Sequence, residues 1–507
     1  MADKAPLFLA IDVGTGSVRA AVVDGSGQVP AFEARPHEQH VPQAGWSEQS
    51  PEQWWQGVQA TVRAVLDSPE VDPSRLQGIC VCGQMHGPVP VADDGTVLLD
   101  RVQLWNDKRP AELVEAFSQS HDVRALAAVT GNPPAPSWIG FKVAWIKAHQ
   151  PQVYDRAAAF LTPKDFINFK LTGEFATDRT EASGSYLLDC RTLGYDAGVA
   201  DQLAVDIGKF PPVFGSADVI GGVSPGAATA TGLPEGLPVV AGGGDFLVSL
   251  IGSGVVGPGV GSDITGTSTL ISVWSDQPVI HDVVTNLCAA NGGWVPFTLI
   301  DAGGDSMRWA RRLLHEPDTD FDSINALAEA VPGGSEGLLF LPYLTGERLG
   351  GQANARAQFF GITSRHGKGH FYRAVMEGSA FASKRNIDIM RSAGTRFDRI
   401  VAAGGGAKGD LWLRIKASIY DMPIDVPENP EGGVLGCAAL AGIGTGYYAD
   451  TNDAVDRLVA IREGARPEPA LVERYARLAA VFDRLYQEAN QYYDTLESIG
   501  GGGKDDG

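Results

Sequence analysis

Three short stretches of this chain carry residue types suited to moving a phosphoryl group. The first runs from Leu7 to Arg19: an apolar run ends on Asp12, and Gly14, Thr15, Gly16 and Ser17 follow before apolar residues resume at Val18. Glycines let backbone approach a ligand closely, and successive N–H groups with Thr and Ser hydroxyls suit an anionic phosphate. A carboxylate beside that phosphate would repel it unless a cation lies between, so Asp12 points to Mg²⁺, held directly or through water. The second stretch, Val260 to Trp274, repeats the pattern with Gly266-Thr267-Ser268 at its turn. The third, Gly242-Gly243-Gly244-Asp245, sets a carboxylate after three glycines and before an apolar run. Asp245 reads as a base for an attacking hydroxyl, with the glycines clearing its approach to substrate. A helix cap is the plain alternative. A dinucleotide fingerprint does not fit, because its third glycine would fall at Arg19, and no Gly-x-x-x-x-Gly-Lys-Ser/Thr run occurs.

Other residues suit a hydroxyl-rich ligand. Gln84, Met85 and His86 lie between Gly83 and Gly87, just after the apolar run Leu76 to Val81. Ligands of open α/β sheets collect beyond strand C-termini, where Gln and His can bond hydroxyls and Met can line the apolar face of a small polyol. Asn106 and Asp107 follow an expected strand, Val97 to Leu99 with Val102. They are hydroxyl-binding candidates or an Asx turn ahead of a helix from Pro110. Gly404 to Gly406, between a strand at Ile400 to Ala403 and a helix at Leu411 to Tyr420, leave bare backbone for a flat adenine and its ribose.

Positioning these residues requires strand, tight turn and strand at both hairpins. Two such hairpins half a chain apart imply an internal duplication, with nucleotide phosphates held between the halves. Ser50, Pro51 and Gln53 read as N-cap, first turn and capping box of a helix. Further on come a buried strand at Gly337 to Leu344, a helix at Phe371 to Met390, a close-packed helix of small residues from Glu431, and an amphipathic helix at Pro469 to Leu496. Pro211 to Gly236 is rich in Gly and Pro and poor in periodic runs.

Composition bounds the rest. A chain of 507 residues exceeds one core. Its 40 basic and 61 acidic residues leave a net charge of −21, which argues against nucleic acid or an anionic membrane as partner. The most apolar long stretch, Leu237 to Gly261, contains Asp245 and many glycines and is no membrane span. Five cysteines cannot all pair, and alternation puts Cys80 and Cys82 on one strand face. Free cysteines and the lack of an apolar signal in Met-Ala-Asp-Lys-Ala-Pro point to the cytoplasm. The expected division is 1–255, 256–498 and a disordered tail at 499–507.

Taken together, the motifs resemble those of the FGGY carbohydrate kinases of the actin-like ATPase superfamily, and most closely the xylulokinases among them. The resemblance runs from about residue 7 to 490. It is carried by Asp12-Val-Gly-Thr-Gly-Ser, Trp46-Ser-Glu-Gln, Gly83-Gln-Met-His-Gly, Leu104-Trp-Asn-Asp, Pro163-Lys-Asp, Thr172-Gly-Glu-Phe-Ala, Gly242-Gly-Gly-Asp, Pro342-Tyr-Leu-Thr-Gly-Glu-Arg and Gly404-Gly-Gly-Ala. It implies an α/β fold of two ribonuclease-H-like domains with ATP and sugar in the cleft between them. It implies sugar contacts at Met85 and His86, the base at Asp245, and a metal-linked carboxylate at Asp12. Nucleotide is expected at Thr15, Gly16, Ser17 and Arg19 in the first half, and at Gly266, Thr267, Gly303, Gly405, Gly406 and Asp410 in the second. ATP, Mg²⁺, a small ketose and a family-typical homodimer are the implied partners. D-xylulose stands first, with ribulose or erythritol as alternatives; a nucleotide-driven switch without sugar chemistry is a further one. Three departures bear on the sugar: Phe246 where xylulokinases carry Asn, Leu349-Gly350-Gly351 where Thr-Pro-His is usual, and Asp263-Ile-Thr ahead of the second Gly-Thr.

Overall fold

The computed structural model describes residues 5–314, 319–347 and 352–500. Leu349-Gly350-Gly351 and tail residues 501–507 lie outside the described residues. The first sheet has six strands: β1 (Leu7–Val13), β2 (Ser17–Asp24), β3 (Ala31–Pro36), β4 (Leu76–Gly83), β5 (Val219–Gly222) and β6 (Pro238–Gly244), in the order β5-β6-β4-β1-β2-β3. The second has β7 (Gly259–Thr265), β8 (Thr269–Val273), β9 (Thr285–Cys288), β10 (Trp294–Ile300), β11 (Phe397–Ala403), β12 (Ile424–Pro427) and β13 (Ile461–Ala465), in the order β9-β10-β8-β7-β11-β12-β13. Read from β5 and from β13, the sheets match. An antiparallel edge strand leads to two parallel strands, the hairpin β1-β2 or β7-β8, and a further antiparallel strand. Strand β9 then extends the second sheet by one. The duplication expected from the two hairpins is thus present in the topology of both halves.

Nine helices matter for the site: α1 (Pro51–Leu66), α2 (Ile139–His149), α3 (Pro163–Thr172), α4 (Asp245–Gly252), α5 (Gly304–Leu314), α6 (Lys368–Ser392), α7 (Asp410–Tyr420), α8 (Gly432–Gly444) and α9 (Pro469–Gly500). Alternation along β4 sorts its side chains as its sequence requires. Ile79 and Val81 join the core that holds Trp54, Val58 and Val62 of α1, while Cys80 and Cys82 face Cys437 and Ala438 of α8. Among the described residues no helix is long and apolar enough to cross a membrane.

Some local expectations fail for identifiable reasons. Ser50 sits at the N-cap of α1, but its side chain makes no cap bond; its carbonyl closes the first turn by accepting from Gln53 N at 3.1 Å. The strand expected at Val97 to Leu99 is one bridge, Val91 to Val97, followed by the two-residue strand Val102–Gln103. The strand at Gly337 to Leu344 shortens to Leu339–Leu341, between left-handed Gly337 and Pro342, which lacks a ladder donor. The Gly/Pro-rich segment contains edge strand β5 and a short helix, Pro225–Thr231.

The halves meet where α4 crosses α8. A Cβ on Gly436 would run into the Val248 carbonyl oxygen, and one on Gly252 into that of Gly432. The helices therefore touch backbone to backbone. Gly436→Ala should lower stability by about 1–3 kcal/mol, the usual cost of overpacking, read as a lower urea midpoint. Gly226→Ala, in the helix Pro225–Thr231 where nothing lies within 4 Å, is the matched control and should hold the midpoint or raise it slightly.

Candidate active site

The first hairpin is held from three sides. The Thr15 carbonyl accepts from Gln49 Nε2 at 2.7 Å and lies 3.0 Å from His37 Nε2, and its hydroxyl accepts from Trp105 Nε1 at 3.1 Å. Gln49 Oε1 accepts from Gln84 Nε2 at 2.8 Å and from Trp54 Nε1 at 3.0 Å. The phosphate-type turn and the Gln84 loop are thereby one hydrogen-bonded unit. Gln84 Oε1 is buried without a partner.

Asp12, at the end of β1, pairs with Arg19 Nη1 at 3.5 Å, and the same Arg19 nitrogen lies 3.6 Å from Glu431, just before α8 of the second half. Asp12 Oδ1 has no hydrogen-bond partner. Burial pushes the Asp12 carboxyl up to about 6, with Arg19 pulling against it. Asp245 opens α4 at the end of β6, and burial followed by the charge of Asp12 pushes it up to about 7. Strands β1 and β6 both flank β4, and this places the two carboxylates within electrostatic reach of each other.

Around them lie the hydroxyl-binding candidates. A Cβ on Gly244 would come within 2.5 Å of Met85 Sδ, so the third glycine makes room for Met85. His86 has left-handed backbone, φ 67°, and its ring packs edge-on against Trp138 at 5.3 Å. Burial lowers its pKa to about 3, so the ring is neutral. Its Nδ1 lies 3.2 Å from the Gly184 carbonyl and must donate to it, which leaves Nε2 as an acceptor. Lys142 of α2, fully buried and lowered to about 7 by burial, donates to the carbonyls of His86 at 3.0 Å and Leu104 at 2.6 Å. It ties the His86 loop to the Asn106–Asp107 loop.

Asp107 is engaged within the fold. Its Oδ1 accepts from Arg109 N and Nε, and its Oδ2 from Ser47 N and Arg109 Nη2, at 2.7–3.0 Å. These four contacts use the acceptor sites a carboxylate has. Asn106 keeps an unpartnered Oδ1.

In the second half, Gly303 lies against the second hairpin, where its Cβ would meet Ser268 and Thr269 at 2.9 Å. Gly304 N donates to the Gly266 carbonyl at 2.8 Å, and Arg308 Nη2 to Thr267 Oγ1 at 3.1 Å. Gly404, φ 79°, and Gly406 pack on Thr265 at the end of β7, while Gly405 and Asp410 are exposed beside them. Beneath this turn the departure at Asp263 has a partner set. It accepts from Lys416 Nζ and Tyr420 Oη, both at 2.8 Å, and from Thr265 Oγ1 at 2.6 Å, all buried. Phe246 turns toward the second half and meets Phe297 of β10 edge-on at 5.5 Å.

Two groupings thus form, one around Asp12, Thr15, Arg19, Met85, His86 and Asp245, the other around Thr265 with Gly266, Thr267, Gly303, Gly406 and Asp410. Arg19 reaches from the first grouping to Glu431, just before α8. Gln49, Trp105, Lys142 and Arg308 went unnoticed in the sequence. Gln49 stands inside the Trp46-Ser-Glu-Gln motif and Trp105 inside Leu104-Trp-Asn-Asp, whereas nothing about Lys142 and Arg308 marks them apart from ordinary helix residues.

Two ribonuclease-H-like halves, each with a phosphate-type hairpin facing a shared cleft, define a phosphotransferase of the actin-like ATPase type. Residues 7–252 match the N-terminal domain of the FGGY family of carbohydrate kinases and residues 262–445 its C-terminal domain. The chain belongs to that family and is a carbohydrate kinase. It is 30% identical to the xylulose kinase of Bacillus subtilis over 500 residues, 97% of this chain and 99% of that one. It is 29% identical to the xylulose kinase of Escherichia coli, over 95% and 99% of the two chains. The crystal structure of a Rhodospirillum rubrum xylulose kinase superposes with a TM-score of 0.90 at 30% identity, covering 96% of this chain and all of the other. A Lactobacillus acidophilus gluconate kinase shares the fold at TM-score 0.91 and 24% identity, covering 97% and 100%.

The carboxylate pair predicts a pH-dependent stability. Asp245 has a folded pKa above its ordinary 3.8, so its contribution to stability is full below that value and is lost as pH rises toward about 7. In EDTA, Asp245→Asn should therefore gain in urea midpoint relative to wild type as pH rises from 4 to about 7 and hold a constant advantage above it. A difference that does not change with pH would refute this.

Proposed function

We propose that this kinase transfers the γ-phosphoryl group of ATP to a terminal hydroxyl of a small ketose, D-xylulose first, giving D-xylulose 5-phosphate. The observation that carries the reading is Asp245 at a strand end, charge-coupled to Asp12, with neutral His86 and Met85 beside it. The full-length similarity to proteins named xylulose kinase supports the sugar, and the gluconate kinase of the same fold is why the fold alone does not choose it.

In this reading His86 Nε2 accepts from a sugar hydroxyl, Met85 lines the apolar side, and Asp245 takes the proton as the hydroxyl attacks phosphorus. The hairpins at Thr15–Ser17 and Gly266–Thr267 present backbone N–H groups to the phosphates, and Arg19 adds charge. Gly303, Gly405, Gly406 and Asp410 border the adenosine. The Mg²⁺ expected at Asp12 fits the residues present: an unpartnered carboxylate oxygen and a second carboxylate nearby, oxygen ligands that suit a hard cation completed by phosphates and water. That cation would neutralise charge on the phosphates when bound. The resemblance also carries the division at 255/256, a cytoplasmic setting and a homodimer into this proposal.

A coupled ADP-release assay with Mg-ATP tests it across D-xylulose, ribulose, erythritol and gluconate, with D-xylulose expected to give the highest kcat/KM. Since a base works only deprotonated, kcat/KM should rise with pH through about 7. Asp245→Asn should cut kcat by about 10²–10⁴-fold with little change in ATP affinity; retention of more than about a tenth of kcat would return Asp245 to a structural role. Phe246→Asn removes a ring that meets Phe297, and a change in sugar preference would show that this contact bears on the pocket.

A further inference from the structure

The glycines before Asp245 serve a purpose the sequence does not reveal. Along the β6–β4 pairing, Val240 faces Cys80 but Gly243 faces Cys82, so three steps on β6 span two on β4. This is a β-bulge, uncommon between parallel strands and suited to re-aiming the side chain that follows. Gly242 takes φ +70°, and a Cβ there would run into the Val81 carbonyl oxygen. A bulge takes backbone groups out of the ladder, and buried groups so released need partners.

The Ala241 and Gly242 N–H groups donate to the carbonyls of Asp218 and Ser216, both at 2.9 Å, and two further groups flanking the bulge find partners in a buried polar cluster outside the cleft residues already described. The Ala241 carbonyl accepts from Asn168 Nδ2 at 2.8 Å and Lys164 Nζ at 3.1 Å, both on α3. The Gly244 N–H, one residue before Asp245, donates to Thr180 Oγ1 at 2.8 Å. Thr180 donates onward to Asp178 Oδ1 at 3.0 Å, and Asp178 pairs with Lys164 Nζ at 3.0 Å. Lys164, Asn168, Asp178 and Thr180 are at most 1% exposed. Three residues along from Thr180, on the same short helix (Arg179–Ser183), Ser183 Oγ accepts from Cys288 N at 2.8 Å, on edge strand β9 of the other half.

We propose that Lys164, Asn168, Asp178 and Thr180 are positioning residues that hold the β6 bulge and so aim the Asp245 carboxylate into the cleft. The inference rests on Asp245 as the base. Thr180 is the point of action: its hydroxyl is the described partner of the Gly244 N–H, and it holds that group against a charged, fully buried anchor. The contact from β9 lets a shift of the second half reach the same helix.

The test is a double-mutant cycle. Thr180→Val keeps shape but removes the hydroxyl; kcat should fall about tenfold to a hundredfold, the scale of a small misplacement of a reacting group. The KM for ATP should stay within about twofold. Exchange of the Gly244 amide with D₂O should speed up. Thr180→Ser, which keeps the hydroxyl, should restore both. In an Asp245→Asn background Thr180→Val should cost nothing further, because its effect runs through Asp245. Asn168→Leu, acting on the Ala241 carbonyl, should repeat the pattern if Thr180→Val does not fold. Unchanged kcat, unchanged Gly244 exchange, or a loss that simply adds to that of Asp245→Asn would overturn the positioning proposal. Asp245→Asn alone judges the base: if it stays active while Thr180→Val still speeds Gly244 exchange, the base reading fails and the bulge-holding stands.

Discussion

Two largely buried carboxylates stand within electrostatic reach of each other here, and neither can ionise as it would in water. Asp12 and Asp245 end strands on either side of β4. Burial acts on both, and the charge of Asp12 acts on Asp245. Arg19 moderates the pair from an exposed position and is itself shared with Glu431. A site of this kind is poised: a cation or a proton relieves the repulsion, and water alone does so poorly. The fold accepts a local cost to keep two negative groups where a phosphate and a hydroxyl would meet in the proposed reaction.

The geometry of that site depends on how the halves touch. The α4–α8 crossing brings backbone against backbone at Gly252, Gly432 and Gly436, and α4 begins with Asp245 itself. Helix α8 lies against β4 through Cys437, near Cys82, whose thiol is pushed up to about 12 and inert. Gly433 leaves Asp12 Oδ2 within 4 Å of where a side chain would stand. A second clasp forms where Asn132 Nδ2 donates to the Asn286 carbonyl at 2.8 Å and Asn286 N to Asn132 Oδ1 at 2.7 Å. The two contacts lie on different elements of both halves, and the Ser183–Cys288 bond adds a third tie between them.

Much of this was legible in the chain. Each hairpin is written as apolar run, Gly/Thr/Ser turn, apolar run, because a buried strand must be apolar and a phosphate turn must be small. The alternation at Cys80 and Cys82 was legible for the same reason. What was not legible depends on partners distant in sequence. Gly242 to Gly244 read as clearance for substrate, yet Gly242 serves a bulge against Val81 and Gly244 gives way to Met85. Asp107 read as a hydroxyl binder or an Asx turn, and the Arg109 N bond of that turn is present, with Ser47 and the Arg109 side chain joining it. Asp263 read as a departure, and only its distance to Lys416 and Tyr420 explains it.

Each half, finally, keeps a buried Lys–Asp pair beneath the glycine-rich bend proposed to face its ligand. Lys164 and Asp178 lie under the β6 bulge; Lys416 and Asp263 lie under Gly404–Gly406. Burying such a pair gains little net stability, because desolvating both charges offsets their attraction, and an apolar pair of similar size would serve the core as well. Stability is therefore a weak reason for their presence. Orientation is a stronger one: an ammonium has three donors, and here all three of Lys164 and two of Lys416 go to fixed acceptors. Lys164 Nζ reaches Asp165, Asp178 and the Ala241 carbonyl, and Lys416 Nζ reaches Asp263 and Thr265 Oγ1. An apolar substitute fills the same volume but leaves the neighbouring backbone free to slide. The glycines let the chain bend sharply at both places, and the buried ions hold the carbonyls and hydroxyls beside each bend.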